Sequence, residues 1–330
     1  MRVLIDCDTG TGVPGANVDD GLELALALRS PEVELVAVTV VAGNVPLPLG
    51  VASTRRILDL GGRSDIPVYG GAARPLLQDP SAIRERLAER ARVSPGRELW
   101  RDVVAPAAAE ASGQGHAALA MVREVMAHPG QTTIVATAPL TNLALALVLE
   151  PRVAANVRRV VIMGGAIALA GTRGDLNLGY DPEAARIVLR SGAPLLLVPL
   201  DVTTRTLFTL RDNARLAAAR DPLARYLALT TEPWIRWSMQ VRCLDGCWLH
   251  DPLAFAAALD PSLVTTRPMH LDVELSGAHG RGATIAVAAD QRGQALHAPP
   301  SGEPNAQVAM DVEVERFTDL FLGRLLGGSG

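Results

Sequence analysis

The chain has 330 residues, of which 48% are hydrophobic and 20% are charged, a balance typical of a globular protein. Its 31 basic residues are all arginine, which excludes a P-loop lysine and Schiff-base chemistry. The net charge of −4 gives no reason to expect a nucleic-acid partner. No uncharged apolar stretch reaches the roughly 18 residues of a membrane span, and the N-terminus does not read as a signal peptide. We therefore expect no membrane partner.

The elements alternate along the chain in a way that predicts a largely parallel sheet with helices on both faces, a Rossmann-like α/β fold. We predict strands at Arg2–Ile5, Val33–Val41, Ile66–Tyr69, Thr132–Ala136, Val160–Met163 and Leu195–Val198. We predict helices at Asp20–Arg29, Leu49–Leu60, His116–Ala127, Asn142–Leu149, Asp181–Ser191, 211–240, Pro252–Leu259 and Val312–Leu326.

Two segments stand apart from this alternation. Residues 78–115 are charged and contain several prolines, so we expect them to run over the rim of the active site, with a helical patch around Ile83–Ala91. Residues Met269–Val287 alternate as antiparallel strands do, which predicts a small C-terminal extension of the sheet. No linker divides the chain strongly, so we treat residues 1–330 as a single domain.

Two pairs of aspartates bracket a glycine-rich loop after the first predicted strand. Asp6 and Asp8 end the strand, and Asp19 and Asp20 precede an apolar helix. Four carboxylates at one turn repel each other, and a bound cation removes that repulsion. Hard divalent ions prefer oxygen ligands of this kind, so the pattern predicts a cation site.

Further polar residues follow the later predicted strands, where ligands bind in open α/β sheets. They are Asn44, Thr137, Asn142, Asp175, Asn177, Asp181, His250 and Asp251. Taken singly, several have simpler explanations, since Asp181 and Asp251 each precede a proline and fit helix N-caps. For Asp181 we favour the N-cap. The recurrence at successive strand ends is what indicates a site.

Two other interpretations compete with the cation site. Gly10, Gly12 and Gly15 match the G-x-G-x-x-G fingerprint of dinucleotide binding, but Pro14 and the later helix start contradict the required geometry. The apolar-Asp-x-Asp opening also suits a haloacid-dehalogenase type of phosphatase with Asp6 as nucleophile. That pattern expects Thr or Val where this chain has a glycine, and it expects a lysine near the phosphate. We disfavour both interpretations.

The three cysteines, Cys7, Cys243 and Cys247, are too few and too scattered for a disulfide framework. They favour a reducing compartment, and we expect a cytoplasmic location. A zinc site would have to recruit His250 to Cys243 and Cys247, and we disfavour it.

The ordered set of motifs resembles the inosine-uridine type of nucleoside hydrolases, also called nucleoside N-ribohydrolases. Their signature Asp-x-Asp-Pro-Gly-x-Asp-Asp follows the first strand, and Asp6, Asp8, Asp19 and Asp20 match its four acids. Other matching stretches recur in the family's order at residues 42–44, 68–76, 136–142, 163–165, 175–177, 181–185 and 250–254.

This resemblance implies a calcium-dependent N-glycosidase. Carried over residue by residue, it implies that Asp8, Asp20 and Asp251 are carboxylate ligands of Ca²⁺ and that Thr137 adds its main-chain carbonyl. Asp6 is then a supporting residue outside the ligand set.

The ribose hydroxyls are implied to contact four further residues, which are Asp19, Asn44, Asp175 and Asn177. The cation lowers the pKa of a water molecule, and Asp8 acts as general base to direct it at the anomeric carbon of an oxocarbenium-like sugar. His250 is the candidate acid for the leaving base. Three tryptophans are candidates to stack on the base, which are Trp234, Trp237 and Trp248. For each of them, packing in the core is the simpler expectation.

The chain departs from the family pattern at several places. Ten residues separate Asp8 from Asp19 where the family has three, and Thr9 replaces the usual proline. Asp175 replaces a glutamate, which puts the contacts near the 5′ end of the ribose in question. Residues 95–100 have no histidine, whereas pyrimidine-preferring members often carry a His-Gly pair there. We expect the loop insertion, beside the ribose pocket, to be where this protein differs most from its relatives.

The alternative from another class is a metal-dependent protein that binds ribose or nucleosides without turnover. For the hydrolase, we expect a nucleoside as the small-molecule partner. Since members of the family are usually dimers or tetramers, we also expect a homodimer or homotetramer.

Overall fold

A computed structural model describes residues 1–169, 174–277, 279–288 and 303–327. In these ranges the strands are β1 (Arg2–Cys7), β2 (Glu34–Val40), β3 (Val68–Gly70), β4 (Thr132–Ala136), β5 (Arg159–Met163), β6 (Leu195–Val198), β7 (Leu207–Phe208), β8 (Cys247–Trp248), β9 (Val264–Val273), β10 (Thr284–Ala288) and β11 (Ala306–Val312). The helices are α1 (Asp19–Leu28), α2 (Leu47–Leu60), α3 (Ser81–Arg92), α4 (Gly96–Leu99), α5 (Ala117–Ala127), α6 (Thr141–Leu149), α7 (Val153–Asn156), α8 (Leu176–Tyr180), α9 (Pro182–Leu189), α10 (Leu200–Thr203), α11 (Leu210–Ala217), α12 (Pro222–Arg242), α13 (His250–Leu259) and α14 (Val314–Gly327), with a 3-10 helix at Pro261–Leu263.

The central sheet has the strand order β10-β9-β11-β6-β5-β4-β1-β2-β3 within the described ranges. All neighbours from β3 through to β11 are parallel. The strand β9 pairs antiparallel with both β11 and β10. The predicted α/β architecture, largely parallel with antiparallel strands near the C-terminus, is therefore confirmed. A separate antiparallel pair joins β7 to β8.

Apolar residues of the sheet alternate between two buried clusters, one on each face. In β1, Val3 and Ile5 belong to the cluster that also contains residues of α1, α2, α12, α13 and α14. Leu4 belongs to the cluster with residues of α5, α6 and α9. A strand covered on both faces needs a continuous apolar run, which is why the sequence reads Val-Leu-Ile before the first aspartate.

The helical character predicted for 211–240 is confirmed, but the segment is divided into two helices, α11 and α12. The side chain of Asp221 accepts a hydrogen bond from the main-chain nitrogen of Ala224 at 3.0 Å, and Pro222 follows as the first helical residue. An N-cap aspartate followed by proline starts a new helix, and this signal outweighs the continuous helical periodicity.

The strand β11 was not predicted, and it lies between β6 and β9 in the sheet. Its residues run directly into the closing helix, and the sequence has no glycine or proline between the two elements to mark the boundary. No helix of the described residues has the length and apolar character needed to cross a membrane.

Candidate functional site

The candidate site lies at the carboxyl end of β1, where the strand order reverses. The strand β1 has β2 on one side and β4 on the other. Asp6 is in register with Thr39 of β2 and with Ala136 of β4. The connections leave in opposite directions from such a switch point, which opens a crevice beyond the strand ends.

Three carboxylates meet in this crevice. Asp19 and Asp20 begin α1, Asp251 lies in the first turn of α13, and one oxygen of each is within 4.8 Å of the other two. All three residues are buried. Among the described residues, no hydrogen bond reaches either oxygen of Asp19 or Oδ2 of Asp20.

Burial and mutual repulsion shift the acidity of this group. Burial raises the pKa of Asp19 to about 6. Burial and the neighbouring carboxylates raise the pKa values of Asp20 and Asp251 well above their ordinary value. Buried anionic oxygens without partners are costly, and hard divalent cations take such oxygen ligands. The donor set therefore fits a cation of the calcium class.

Asp8 is held differently from this group of three. The main-chain N–H of Asn44 donates to Oδ2 of Asp8 at 2.7 Å, and the Asn44 side-chain amide donates to Oδ1 at 2.9 Å. The main-chain N–H of Asp8 donates to Oδ1 of Asp20 at 3.0 Å. Burial raises the pKa of Asp8 to about 7, against the opposing effect of the Asn44 hydrogen bonds. Asp8 thus lies beside Asp20, but its carboxylate is outside the group of three.

Asp6 joins the ends of three strands. Its Oδ1 accepts hydrogen bonds from Oγ1 of Thr39 at 2.7 Å and from Nδ2 of Asn142 at 2.9 Å. Its main-chain carbonyl accepts the N–H of Thr137 at 2.9 Å. Burial raises the pKa of Asp6 to about 7. These contacts place Asp6 next to the acid cluster and outside it.

Asn177 and Asp175 line the cavity and are held by main-chain groups. Nδ2 of Asn177 donates to the main-chain carbonyls of Thr137 at 3.0 Å and of Met163 at 3.1 Å. Asp175 caps α8 and accepts the main-chain N–H groups of Asn177 at 2.9 Å and of Leu178 at 3.2 Å. The Thr137 carbonyl, assigned to Ca²⁺ by the resemblance, is therefore shared with the Asn177 amide.

His250 is held as a neutral imidazole. Its Nδ1 lies 2.7 Å from Oγ1 of Thr203. Burial, with a smaller contribution from the Arg242 charge, lowers the pKa of His250 to about 3. When the Thr203 hydroxyl donates to Nδ1, the ring proton sits on Nε2. The ring centroid of Trp248 is 5.5 Å away.

A cavity of about 180 Å³ brings most of the predicted residues together. Its lining includes Asn17, Asp19, Asn44, Thr137, Asp175, Asn177, His250 and Asp251. Asp8 and Asp20 are fully buried and do not line it.

The inserted loop reaches the same cavity. Gly12 and Gly15 adopt left-handed backbone conformations, with φ of 85° and 79°, that favour glycine. A Cβ on Gly15 would lie 2.9 Å from the main-chain nitrogen of Ala91, so the loop packs closely against α3. Asn17 borders the cavity at the end of the loop. The extra residues therefore contribute a polar side chain to the site.

Glu23 is a buried acid that the sequence reasoning missed. Its Oε2 accepts the Thr137 hydroxyl at 2.8 Å, and Oε1 has no hydrogen-bond partner in the described ranges. Burial raises the pKa of Glu23 well above its ordinary value. The available signal was a lone acid in an apolar helix, three and four residues after Asp20 and Asp19, a spacing that places it on their face of α1.

A tryptophan and arginine cluster closes another side of the cavity. The rings of Trp234 and Trp237 stack with centroids 5.0 Å apart and an interplanar angle of 14°. Of the three predicted stacking candidates, Trp234 and Trp248 line the cavity and Trp237 does not. Arg90 and Arg242 line it as well. Sequence reasoning singled out neither arginine, although Arg90 lies in the segment expected at the rim.

The profile of the family described as inosine-uridine preferring nucleoside hydrolase matches residues 3–319 of the chain. The chain belongs to this family. As a nucleoside hydrolase it is an enzyme that hydrolyses N-glycosyl bonds of ribonucleosides. Family membership decides against the dinucleotide-binding and phosphatase interpretations of the loop.

Proteins of similar sequence align with nearly the whole length of this chain. The pyrimidine-specific ribonucleoside hydrolase RihA of Citrobacter koseri is 33% identical over 331 aligned positions, which cover 98% of each chain. The probable uridine nucleosidase 2 of Arabidopsis thaliana is 32% identical, covering 98% of this chain and 97% of the relative.

Solved structures agree with these relatives. The plant nucleoside hydrolase PpNRh1 superposes with a TM-score of 0.85 at 30% identity, covering 98% of each chain. The purine-preferring ribonucleoside hydrolase of Gardnerella vaginalis gives a TM-score of 0.83 at 32% identity, covering 99% of this chain and 98% of the other.

Proposed function

We propose that this enzyme hydrolyses ribonucleosides to free base and ribose with Ca²⁺ as its cofactor. The observation that carries the proposal is the buried group of Asp19, Asp20 and Asp251, which has carboxylate oxygens without hydrogen-bond partners among the described residues. The group lies at the switch point of the sheet, and Asp19 and Asp251 line the cavity there.

We assign the cation to Asp8, Asp20 and Asp251, with the main-chain carbonyl of Thr137. A bound Ca²⁺ supplies Lewis acidity toward water and offsets the repulsion among the carboxylates. Asp19, which lies within the same group, then holds a ribose hydroxyl next to the ion. The lining position of Asp19 supports its contact with the ribose, and the hydrogen bond from the Asp8 main-chain N–H to Asp20 supports a place for Asp8 beside the ion.

The remaining ribose contacts are assigned to Asn44, Asp175 and Asn177, all of which line the cavity. Asp175 and Asn177 are fixed by the α8 cap and by two main-chain carbonyls. Rigid partners of this kind orient a bound sugar without a further loss of side-chain entropy.

Asp8 is proposed as the general base. It takes a proton from water while the water oxygen bonds to the anomeric carbon and the carbon–nitrogen bond breaks, with the electron pair leaving on the base. The two hydrogen bonds from Asn44 fix the carboxylate in one orientation. The surrounding carboxylates stabilise the positive charge that develops on the oxocarbenium-like sugar.

His250 is proposed at the leaving group. Its low pKa keeps the imidazole neutral, so it is proposed as a hydrogen-bond donor through Nε2 and not as the acid that the resemblance implies. The departing base then takes its proton from solvent. Trp248, close to the His250 ring, is a suitable stacking partner for the base.

The preferred base is best sought with both classes of nucleoside. RihA of Citrobacter koseri is named pyrimidine-specific, whereas the Gardnerella vaginalis enzyme is named purine-preferring. A single domain, a cytoplasmic location and a homodimeric or homotetrameric assembly remain predictions for this chain.

The test incubates the protein with inosine, adenosine, uridine and cytidine and measures free ribose. We expect ribose from at least one nucleoside, loss of activity in chelator and recovery with added Ca²⁺. The variant Asp65→Asn, which removes an exposed carboxylate paired with Arg63, is the matched control and should behave as wild type. Tight nucleoside binding without any ribose would instead favour the binding protein without turnover.

A further inference from the structure

Two arginines converge on one tryptophan cluster at the wall of the cavity. Cζ of Arg242, the last residue of α12, lies 5.2 Å from the ring centroid of Trp234, 5.1 Å from that of Trp237 and 5.1 Å from that of Trp248. Cζ of Arg90, in the last turn of α3, lies 5.5 Å from Trp234 and 5.6 Å from Trp237.

The two guanidinium groups are not held in close ion pairs within the part of the chain that the structure describes. Across the described residues, neither forms a salt bridge or a hydrogen bond with a carboxylate, and the Asp19 charge acts on Arg242 only at longer range. Burial lowers the pKa of both arginines. The pKa of Arg90 falls to about 10, because the charges of Arg242 and Arg86 add to the effect of burial. Both stay charged at neutral pH.

The tryptophan faces and the carbonyl ends of α3 and α12 make two neighbouring cations tolerable. Ring contacts of this kind do not occupy the N–H donors of the guanidinium groups, and no described residue accepts a hydrogen bond from them. The charge of the cavity lining is therefore unevenly distributed. Its acidic residues include Asp19, Asp175 and Asp251, and the positively charged side chains are those of Arg90 and Arg242.

We propose that Arg90 and Arg242 form an anion-recognising pocket for the base, and that this enzyme favours ribosides whose base is acidic or carries a carboxylate. The inference rests on the proposed function, which places the ribose among the acids and the base near His250 and Trp248. Arg242 lies 5.1 Å from the Trp248 ring and so borders the same place. A guanidinium fork matches a carboxylate bidentately and stacks on aromatic rings, as a neutral amide side chain does not.

The same charges also act on the reaction. As the carbon–nitrogen bond breaks, the electron pair moves onto the base, and preorganised cations next to a developing negative charge stabilise it. The established hydrolysis needs no further reactant for this effect.

The experiment compares matched substrates with the full chain in Ca²⁺. Uridine is paired with 6-carboxyuridine, and inosine is paired with xanthosine, whose base is more acidic. Wild type should have a higher kcat/KM for the acidic member of each pair, by about tenfold or more. Calorimetric titration of each nucleoside into Asp8→Asn, which lacks the proposed general base, should give a lower Kd for the acidic member of each pair.

Arg90→Gln and Arg242→Gln should each lower kcat/KM for both members of a pair, and the loss should be about tenfold larger for the acidic member than for uridine or inosine. Arg242→Lys, which keeps the charge without the fork, should restore part of the preference. Arg236→Gln is the control, since it removes an exposed arginine of α12 that pairs with Glu232. Thermal unfolding of each variant checks that the tryptophan cluster remains folded.

Equal use of both members of each pair by wild type would overturn the inference and leave nucleoside hydrolysis standing. A preference that survives when Arg90→Gln and Arg242→Gln are combined in one protein would overturn it too, because the arginines would then only pack on the tryptophans. Uridine 5′-monophosphate tests an anion at the other end of the substrate. Its selection over 6-carboxyuridine would move the pocket to the sugar and refute the base assignment. Tighter binding of 6-carboxyuridine without any ribose release would support the pocket and defeat the proposed hydrolysis.

Discussion

Asn44 donates a hydrogen bond to each carboxylate oxygen of Asp8, through its main-chain nitrogen at 2.7 Å and its side-chain amide at 2.9 Å. One residue therefore fixes both the position and the rotation of the carboxylate proposed as general base. The residue also borders the cavity, so it can contact the substrate as the resemblance implies. A single asparagine joins the two tasks because it follows β2, the strand next to β1.

We predict that Asn44→Ala lowers kcat by about ten- to a hundredfold, because Asp8 loses a hydrogen bond that orients it. The readout is kcat and KM for the best nucleoside. The control Asn156→Ala removes a surface amide that donates to the Arg152 carbonyl, far from Asp8 in the sequence, and it should be silent. A rise in KM with kcat unchanged would mean that Asn44 acts on ribose alone.

Gly43 is predicted to be intolerant of any side chain. A Cβ there would lie 2.0 Å from Oδ2 of Asp8 and 2.9 Å from the Pro139 ring. Gly43→Ala should therefore displace the Asp8 carboxylate and lower kcat by about a hundredfold or more. The comparison is Gly70→Ala, where the nearest heavy atom to the new Cβ is 3.7 Å away. Wild-type kinetics of Gly43→Ala would show that Asp8 is free to move without loss.

Hydrophobic periodicity was sufficient to predict the main strands and the sheet, because buried parallel strands need apolar runs whatever packs on them. Boundaries depended on local signals. Asp221 with Pro222 divided a segment that periodicity alone joined. The position of β11 between β6 and β9 came from long-range pairing, which no local pattern records.

The site was predictable to the extent that its residues end strands or begin helices. Asp251 could be placed with Asp20 only through the resemblance, since more than two hundred residues separate them. Arg90 and Arg242 lie near helix C-termini, where basic residues are common for reasons unrelated to ligands. Their convergence on Trp234 is a product of tertiary packing and left no pattern in the sequence.

The assignment of Asp8 and Asp19 predicts different results for the two asparagine variants. Asp8→Asn should lower both Ca²⁺ affinity and kcat, by about a hundredfold for kcat. Asp19→Asn should mainly raise KM and leave Ca²⁺ affinity within a few-fold, because a ribose contact is lost. Calorimetric titration of Ca²⁺ and steady-state kinetics give both quantities, with Asp65→Asn as control. Loss of Ca²⁺ binding in Asp19→Asn alone would make Asp19 the ligand in place of Asp8.

Stability without metal is predicted to fall as pH rises. Burial raises the pKa values of Asp6 and Asp8 to about 7 and that of Asp19 to about 6, above the unfolded value of about 3.9. The folded state therefore binds more protons, so stability is fully present below about pH 4 and is lost as pH rises through 6 and 7. Burial and the neighbouring carboxylates also raise the pKa values of Asp20 and Asp251 well above their ordinary value, so these two groups add to the loss.

The measurement is Tm in chelator at about pH 6.5 and about pH 8.5, since the depressed pKa of His250 has the opposite sign and destabilises the fold only below about pH 6.5. We expect Tm to be several degrees lower at the higher pH, because each group contributes on the order of 1 kcal/mol. Saturating Ca²⁺ should remove or reverse the difference, because a bound cation favours the charged carboxylates and stabilises the folded state by mass action. A Tm that is independent of pH in chelator, or that rises with pH, would mean that these carboxylates are already ionised and compensated by the protein itself.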